Sequence, residues 1–265
     1  MAALQFGMPA LLELPGLAEN AETCAGLGLK FVELNMNLPQ YQTENLHPAG
    51  LMAEAQRNGI YFTLHLDENL DVCSFNSRVA NAYFDTVLRA IHLARQARIP
   101  ILNMHLNAGV HVTLPDRRVY LYDAYRGQYL SRLRLFRGEC EKAAGDSGMK
   151  LCVENTDGFL PFQKEGVKTL LESPVFGLTW DIGHDHAANG ADAGFLYSNI
   201  GRLCHMHVHD ARGKSCHLPL GTGEINLKEK LKTAQKSGCR CLLEVKTLAA
   251  LKQSVEYLKR SMLWN

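Results

Sequence analysis

Short apolar runs alternate with longer stretches of helical periodicity along the whole chain. The runs Leu4–Met8, Lys30–Asn35, Ile60–His65, Ile99–His105, Met149–Glu154, Val175–Asp181, Leu203–His209 and Arg240–Val245 predict strands. Helical patterns such as Val79–Gln96, Gln128–Ala144 and Leu227–Lys236 lie between them. Strands separated by helices form a parallel sheet, and eight is the number that closes a barrel. The predicted fold is α/β: a single-domain (β/α)8 TIM barrel over residues 1–265.

Local signals agree with that alternation. Gly26, Gly28, Gly59, Gly148 and Gly238 each precede a predicted strand, where helix C-caps belong. Asn226 with Glu229 reads as a capping box opening the last large helix. Leu106 to Gly127, after the fourth strand, is the one long irregular segment and a candidate lid.

Alternation within the strands separates two faces. In FGLTWD, Phe176, Leu178 and Trp180 point toward helices, while Gly177, Thr179 and Asp181 point into the barrel. Leu151 and Val153 likewise face out, and Cys152 and Glu154 face in. Phe62 and Leu64 face the helices as His65 ends an inward row; His105 ends the next, and Glu244 points inward between Leu243 and Val245. Polar residues that end apolar strands on the inward side belong to the C-terminal rim, where such barrels carry their chemistry.

Composition narrows the class. The 265 residues give about 33 for each of eight strand–helix units. With 28 basic and 27 acidic side chains the net charge is +1, which calls for no nucleic acid or other polyanionic partner. Met1 to Leu17 has no basic region, and Pro9, Glu13 and Pro15 break its apolar stretch, so it does not read as a signal peptide. No run approaches the ~18 apolar residues of a membrane span. The eight cysteines form no C-x-x-C pair, and several, such as Cys152 and Cys204, lie inside apolar runs. Reduced, buried thiols in a cytoplasmic protein are expected.

The predicted rim gathers Glu33, His65, His105, Glu154, Asp181, His184, His207, His217 and Glu244. Six of the eleven histidines fall between 184 and 217. A lone strand-end Glu or His is as often structural as functional, and His47, His92 and His111 read as surface or loop residues. His205, His207 and His209 share one strand face, so one or two at most reach a common point; His205, the deepest, reads as a hydrogen-bonded core residue. So many carboxylates and imidazoles at one mouth would repel one another or desolvate badly without a cation. The mixed O/N donor set suits a divalent ion: Mn2+, Mg2+, Co2+ or Zn2+.

The segments VENTDG, WDIGHDHAANG, HMHVHD and HLPLGTGEI resemble the xylose isomerase-like barrel superfamily. It includes hydroxypyruvate isomerase, tagatose-type 3-epimerases, inositol-catabolism enzymes and endonuclease IV. The likeness runs from FVELN to LLEVK. In its sugar epimerase branch one ion is held by Glu, Asp, His and Glu at the ends of strands five to eight. The resemblance puts Glu154, Asp181, His207 and Glu244 in those places. It implies that Glu154 and Glu244 also act as the acid/base pair, and that His184 and His217 contact substrate hydroxyls. His65 and His105 are assigned to substrate with them; Glu33 would contact substrate or salt-bridge within the mouth. The implied activity is isomerisation or epimerisation of a small sugar, sugar phosphate or related ketone, by proton transfer through a metal-stabilised cis-enediolate.

Rival readings follow from the same residues. Endonuclease IV uses three metals, and His65, His105, Glu154, Asp181, His184, His207, His217 and Glu244 match its set. Ser215 departs from it, standing where that family has a metal-binding aspartate, which weakens an abasic-site endonuclease reading. An inosose dehydratase-like lyase and a non-catalytic sugar-binding barrel remain as alternatives. The arginines between Asp116 and Lys142 are interleaved with acids and read as a solvated helix face. Arg117 and Arg118, with Tyr120 and Tyr122, have two open readings: holding a substrate phosphate or carboxylate, or packing in a homo-oligomer. GTGEIN lacks the context of a phosphate-binding loop, and no G-x-S-x-G elbow is present.

Overall fold

In the computed structural model, which describes residues 3–264, the eight strands close into one parallel barrel. They are β1 (Gln5–Pro9), β2 (Phe31–Asn35), β3 (Tyr61–His65), β4 (Ile101–His105), β5 (Lys150–Glu154), β6 (Phe176–Asp181), β7 (Leu203–Val208) and β8 (Arg240–Leu243). Each pairs with the next in chain order, and β8 pairs back onto β1. The helices that follow are α1 (Leu17–Gly26), α2 (Pro48–Asn58), α3 (Ser77–Ala97), α4 (Arg126–Ala144) and α5 (Pro161–Leu171). Two short ones, α6 (Ile182–Ala187) and α7 (Ala193–Ser198), follow β6, and α8 (Leu227–Ser237) and α9 (Leu248–Arg260) complete the ring.

The two strand faces separate as their sequence alternation predicts. Phe62, Leu64, Leu151, Val153, Phe176, Leu178 and Trp180 are buried in the apolar layer between strands and helices. One irregularity in register lies between Leu178 and Thr179, which pair with Leu203 and His205. The extra residue, Cys204, lets Leu203 join the helix-facing layer while His205 and His207 point inward. At the bottom of the barrel Phe31 fills the interior, and a Cβ on Gly7 would lie 2.4 Å from its ring.

Two segments fold where sequence periodicity showed none. Within 106–127, His111–Thr113 and Arg118–Tyr120 form an antiparallel ribbon around Pro115–Asp116, followed by the helical turn Leu121–Ala124. After β7, Asp210–Arg212 and Ser215–Leu218 form a second ribbon. Strands of three or four residues are too short to set an alternating pattern. Gly59 and Gly238 cap helices with a left-handed backbone, but Gly26 is the last residue of α1, not its cap. Asn226 accepts from Glu229 N at 3.3 Å, as its position predicted. His47, His92 and His111 are exposed. Among the described residues no helix is long and apolar enough to cross a membrane.

Candidate metal centre

Inward parity stacks two polar layers at the C-terminal end. The lower holds Glu33, Thr63, Asn103, Thr179 and His205, all buried. Thr179 Oγ1 donates to Asn103 Oδ1 at 2.5 Å, and Asn103 Nδ2 donates to Glu154 Oε2. Thr63 Oγ1 donates to Glu33 Oε2 at 2.8 Å. This layer supports the one above it.

The upper layer brings Glu154, Asp181, His207 and Glu244 together, with one donor atom from each within 4.8 Å of the others. His207 Nδ1 is 2.9 Å from Glu154 Oε1, 3.1 Å from Glu244 Oε2 and 3.8 Å from Asp181 Oδ2. Glu244 lies just past β8, held there by its backbone N–H on Val208 O at 3.1 Å. Among the described residues, His207 Nδ1 and Glu244 Oε2 are buried with no hydrogen-bond partner of proper geometry; His207 Nε2, also without one, lies 3.1 Å from Glu33 Oε1 in the layer below. Native interiors rarely strand such atoms. A ring of lone pairs facing one point, unsatisfied by each other, fits a divalent ion.

The electrostatics say the same. Burial opposes a charge on His207, but Glu154, Glu244 and Glu33 outweigh it and hold its pKa well above the usual value. Burial would raise Glu154 and Glu244, yet His207 keeps both well below the carboxylate range. In the metal-free protein a proton on His207 balances the surrounding carboxylates, and metal binding would displace it.

Asp181 is fixed from every side. It caps α6, accepting from His184 N at 2.7 Å. His209 Nε2 lies 3.0 Å from Asp181 Oδ1, and His209 Nδ1 accepts from His217 N at 2.8 Å. Asn155 brackets the Asp181 backbone. The three histidines around β7 therefore divide their work: His205 reaches Glu33 at 3.0 Å, His207 joins the quartet, and His209 orients Asp181.

The remaining predicted residues fall in distinct places. His65 Nδ1 donates to Leu66 O at 2.7 Å, which turns its Nε2 to 3.3 Å from Glu154 Oε2; His105 Nε2 is also 3.3 Å away. These two with Glu154 form a second cluster of potential ligands. His184 and His217 line a cavity of about 470 Å3 with Asp157, Lys214 and Cys216. His217 has a left-handed backbone, φ 58°, a conformation costly for a side-chain-bearing residue. Glu33 lies a layer below the quartet, 2% exposed. His184, His209 and His217 also cluster, but both His209 nitrogens are engaged, so it has no lone pair left for an ion.

Sequence reasoning missed Asn103, Asn155, Thr63 and His209 as parts of the site. Asn103 had a signal: it sits on the inward parity of β4, two residues before His105. Arg117, Arg126, Arg132 and Arg137 of the basic stretch are committed locally. Arg126 pairs with Asp123 and Glu165, and Arg137 donates to Thr169 O at 2.6 Å. Tyr122 is buried and donates to Asp71 Oδ2 at 2.7 Å, so it anchors the loop rather than facing substrate or a subunit.

The xylose isomerase-like TIM barrel model matches residues 21–261. The chain belongs to that family. Solved structures with the same fold include a D-tagatose 3-epimerase-like protein, 24% identical over 98% of this chain and 97% of its own, with a TM-score of 0.79. D-psicose 3-epimerase with D-tagatose, from Clostridium cellulolyticum H10, is 14% identical over 98% and 99%, with a TM-score of 0.74. The IolI protein with a bound zinc atom is 15% identical over 98% and 97%, with a TM-score of 0.72. None of the curated proteins matches the chain. At these identities the likeness to the solved structures establishes the barrel; family membership itself rests on the sequence model.

Proposed function

We propose that the chain is a divalent-metal-dependent isomerase or epimerase of a small sugar, sugar phosphate or related ketone. The observation that carries this reading is the set of buried, unpartnered atoms on His207 and Glu244, converging with Glu154 and Asp181 at the C-terminal mouth. Those four residues would hold the ion, which when bound supplies Lewis acidity to a carbonyl and its neighbouring hydroxyl. Structural relatives named as sugar epimerases support the substrate class, and the zinc of the IolI structure supports a divalent ion.

Proton transfer falls to the carboxylates. Glu154 and Glu244 each turn one oxygen toward His207, at 2.9 and 3.1 Å. One removes the proton from the carbon beside the carbonyl, and the substrate becomes an enediolate. Return by the other carboxylate on the opposite face gives the epimer; return to the adjacent carbon, with the hydroxyl proton passing to the former carbonyl oxygen, gives the isomer. His184 and His217, lining the adjoining cavity, contact substrate hydroxyls, as do His65 and His105, each 3.3 Å from Glu154 Oε2. The eight free cysteines support a reducing, cytoplasmic setting.

A second reading, phosphodiester cleavage at abasic sites, draws on the His65–His105–Glu154 cluster. Ser215 and the saturated His209 weigh against it, because a third ion would lack ligands. A panel of ketoses and ketose phosphates, assayed by NMR with and without added Mn2+, tests the proposal. It expects conversion of at least one sugar only when the ion is present, and metal-independent or absent conversion across the panel counts against it.

A further inference from the structure

We infer that Glu33 is a positioning residue for His207, holding it in the tautomer that turns Nδ1 toward Glu154, Asp181 and Glu244, and is not a contact for substrate. The inference rests on reading that quartet as a metal centre.

Glu33 points inward from β2 and pairs in register with Thr63, while Asn35 and His65 form the next pair toward the mouth. A substrate reaching Glu33 would have to pass the quartet. Both partners of Glu33 Oε2 are fixed: Thr63 Oγ1 at 2.8 Å and His205 Nε2 at 3.0 Å. His205 Nδ1 is buried and has no partner among the described residues, so the ring's single proton belongs on Nε2, where Glu33 accepts it. That leaves Glu33 Oε1, which lies 3.1 Å from His207 Nε2, an ion-pair contact without full hydrogen-bond geometry.

His207 Nε2 is the ring nitrogen that faces this carboxylate, so His207 carries its neutral-ring proton on Nε2. The lone pair is then on Nδ1, 2.9 Å from Glu154 Oε1. With the ring turned over, a carbon would face Glu33 and the quartet would lose its nitrogen. Carboxylates that orient a ligand histidine through its second nitrogen recur in metal sites, and removing one weakens affinity. Thr63 and His205 serve this arrangement by holding Glu33 itself.

The test uses Glu33→Gln, nearly isosteric and neutral, and Thr63→Val, which removes one bond holding Glu33. Circular dichroism confirms folding, Mn2+ affinity is read by chelator competition, and the visible spectrum is read with Co2+. Glu33→Gln should bind Mn2+ about 10- to 100-fold more weakly. Its Co2+ spectrum should shift as the His207 donor changes, and Thr63→Val should show a smaller loss of affinity. Should Glu33→Gln fail to fold, Thr63→Val decides: weakened binding supports the role and unchanged binding overturns it. A folded Glu33→Gln with wild-type Mn2+ affinity and an unchanged Co2+ spectrum overturns the inference alone. Wild-type protein that binds neither ion overturns the metal-centre reading with it.

Discussion

The Asn155 side chain exchanges two hydrogen bonds with the Asp181 backbone: Asp181 N donates to Oδ1 at 2.8 Å, and Nδ2 donates to Asp181 O at 3.0 Å. Asn155 follows β5 directly, so its amide acts as one more rung of a ladder between β5 and β6 at the depth where the quartet sits. Asn155→Ala should leave the buried Asp181 N–H without its partner, while Asp181 O keeps its bond as the cap of α6, and should cost about 1–3 kcal/mol. Urea denaturation measures the stability, and chelator competition should show weaker Mn2+ retention because the Asp181 carboxylate loses its anchor.

Gly183 in α6 packs directly on His209; a Cβ there would lie 1.9 Å from the ring. The ring cannot retreat without releasing Asp181 and the His217 backbone. Gly183→Ala should therefore destabilise by about the 1–3 kcal/mol of an overpacked core. It should also weaken metal binding, whereas Gly194→Ala, with open space around its Cβ position, should do neither. Equal melting temperatures and equal ion affinities for the two variants would count against this packing role.

Much of this site was legible because strand parity carries chemistry: Glu154 and Asp181 end inward rows in sequence as they do in space. The same alternation separated Trp180 from Thr179. What escaped depended on neighbours rather than pattern. Asn103 and Thr63 look like small polar fillers until Glu154 and Glu33 are placed above them. Asn155 lies beyond the strand, where parity no longer applies. The role of His209 required the ribbon after β7, which brings His217 N to its Nδ1. Glu33 was placed on the correct face but not at its depth, because periodicity gives direction and not layer.

His65 gives the metal-free protein a specific pH dependence. Burial opposes its charge, but the Glu154 carboxylate outweighs burial and pushes its pKa up to about 9. A folded pKa above the unfolded value of about 6.5 means its contribution is complete below that pH. The contribution is lost as pH rises through 9. Chemical denaturation of metal-free protein from pH 6 to 10 should show that decline. Each tenfold difference in proton affinity between folded and unfolded states is worth about 1.4 kcal/mol. His65→Asn should reduce the decline, leaving the part that the raised His207 and His209 contribute. A wild-type profile that rises through this window contradicts the assignment.

Incision of an abasic-site duplex should be absent or very weak, with Mn2+ or with Zn2+. The residues beside His217 offer Ser215 rather than a carboxylate, and Arg126 and Arg137 are spent on local partners. Duplex binders make several phosphate contacts and show steep salt dependence. Robust incision together with strongly salt-dependent binding would favour the nuclease reading instead.

Turnover in heavy water, followed by NMR on a converted ketose with Mn2+ present, tests the central claim most directly. Glu154 and Glu244 as the acid/base pair require a proton that passes through a carboxylate, where it exchanges with solvent. Deuterium should enter the carbon beside the carbonyl, and Glu154→Gln and Glu244→Gln should each slow conversion by at least the ~10²–10⁴-fold of general acid–base catalysis. In an epimerase one variant should still exchange deuterium into a single epimer without forming the other. Full activity in both variants, or conversion with no solvent label and the original hydrogen carried intact between carbons, would contradict the account.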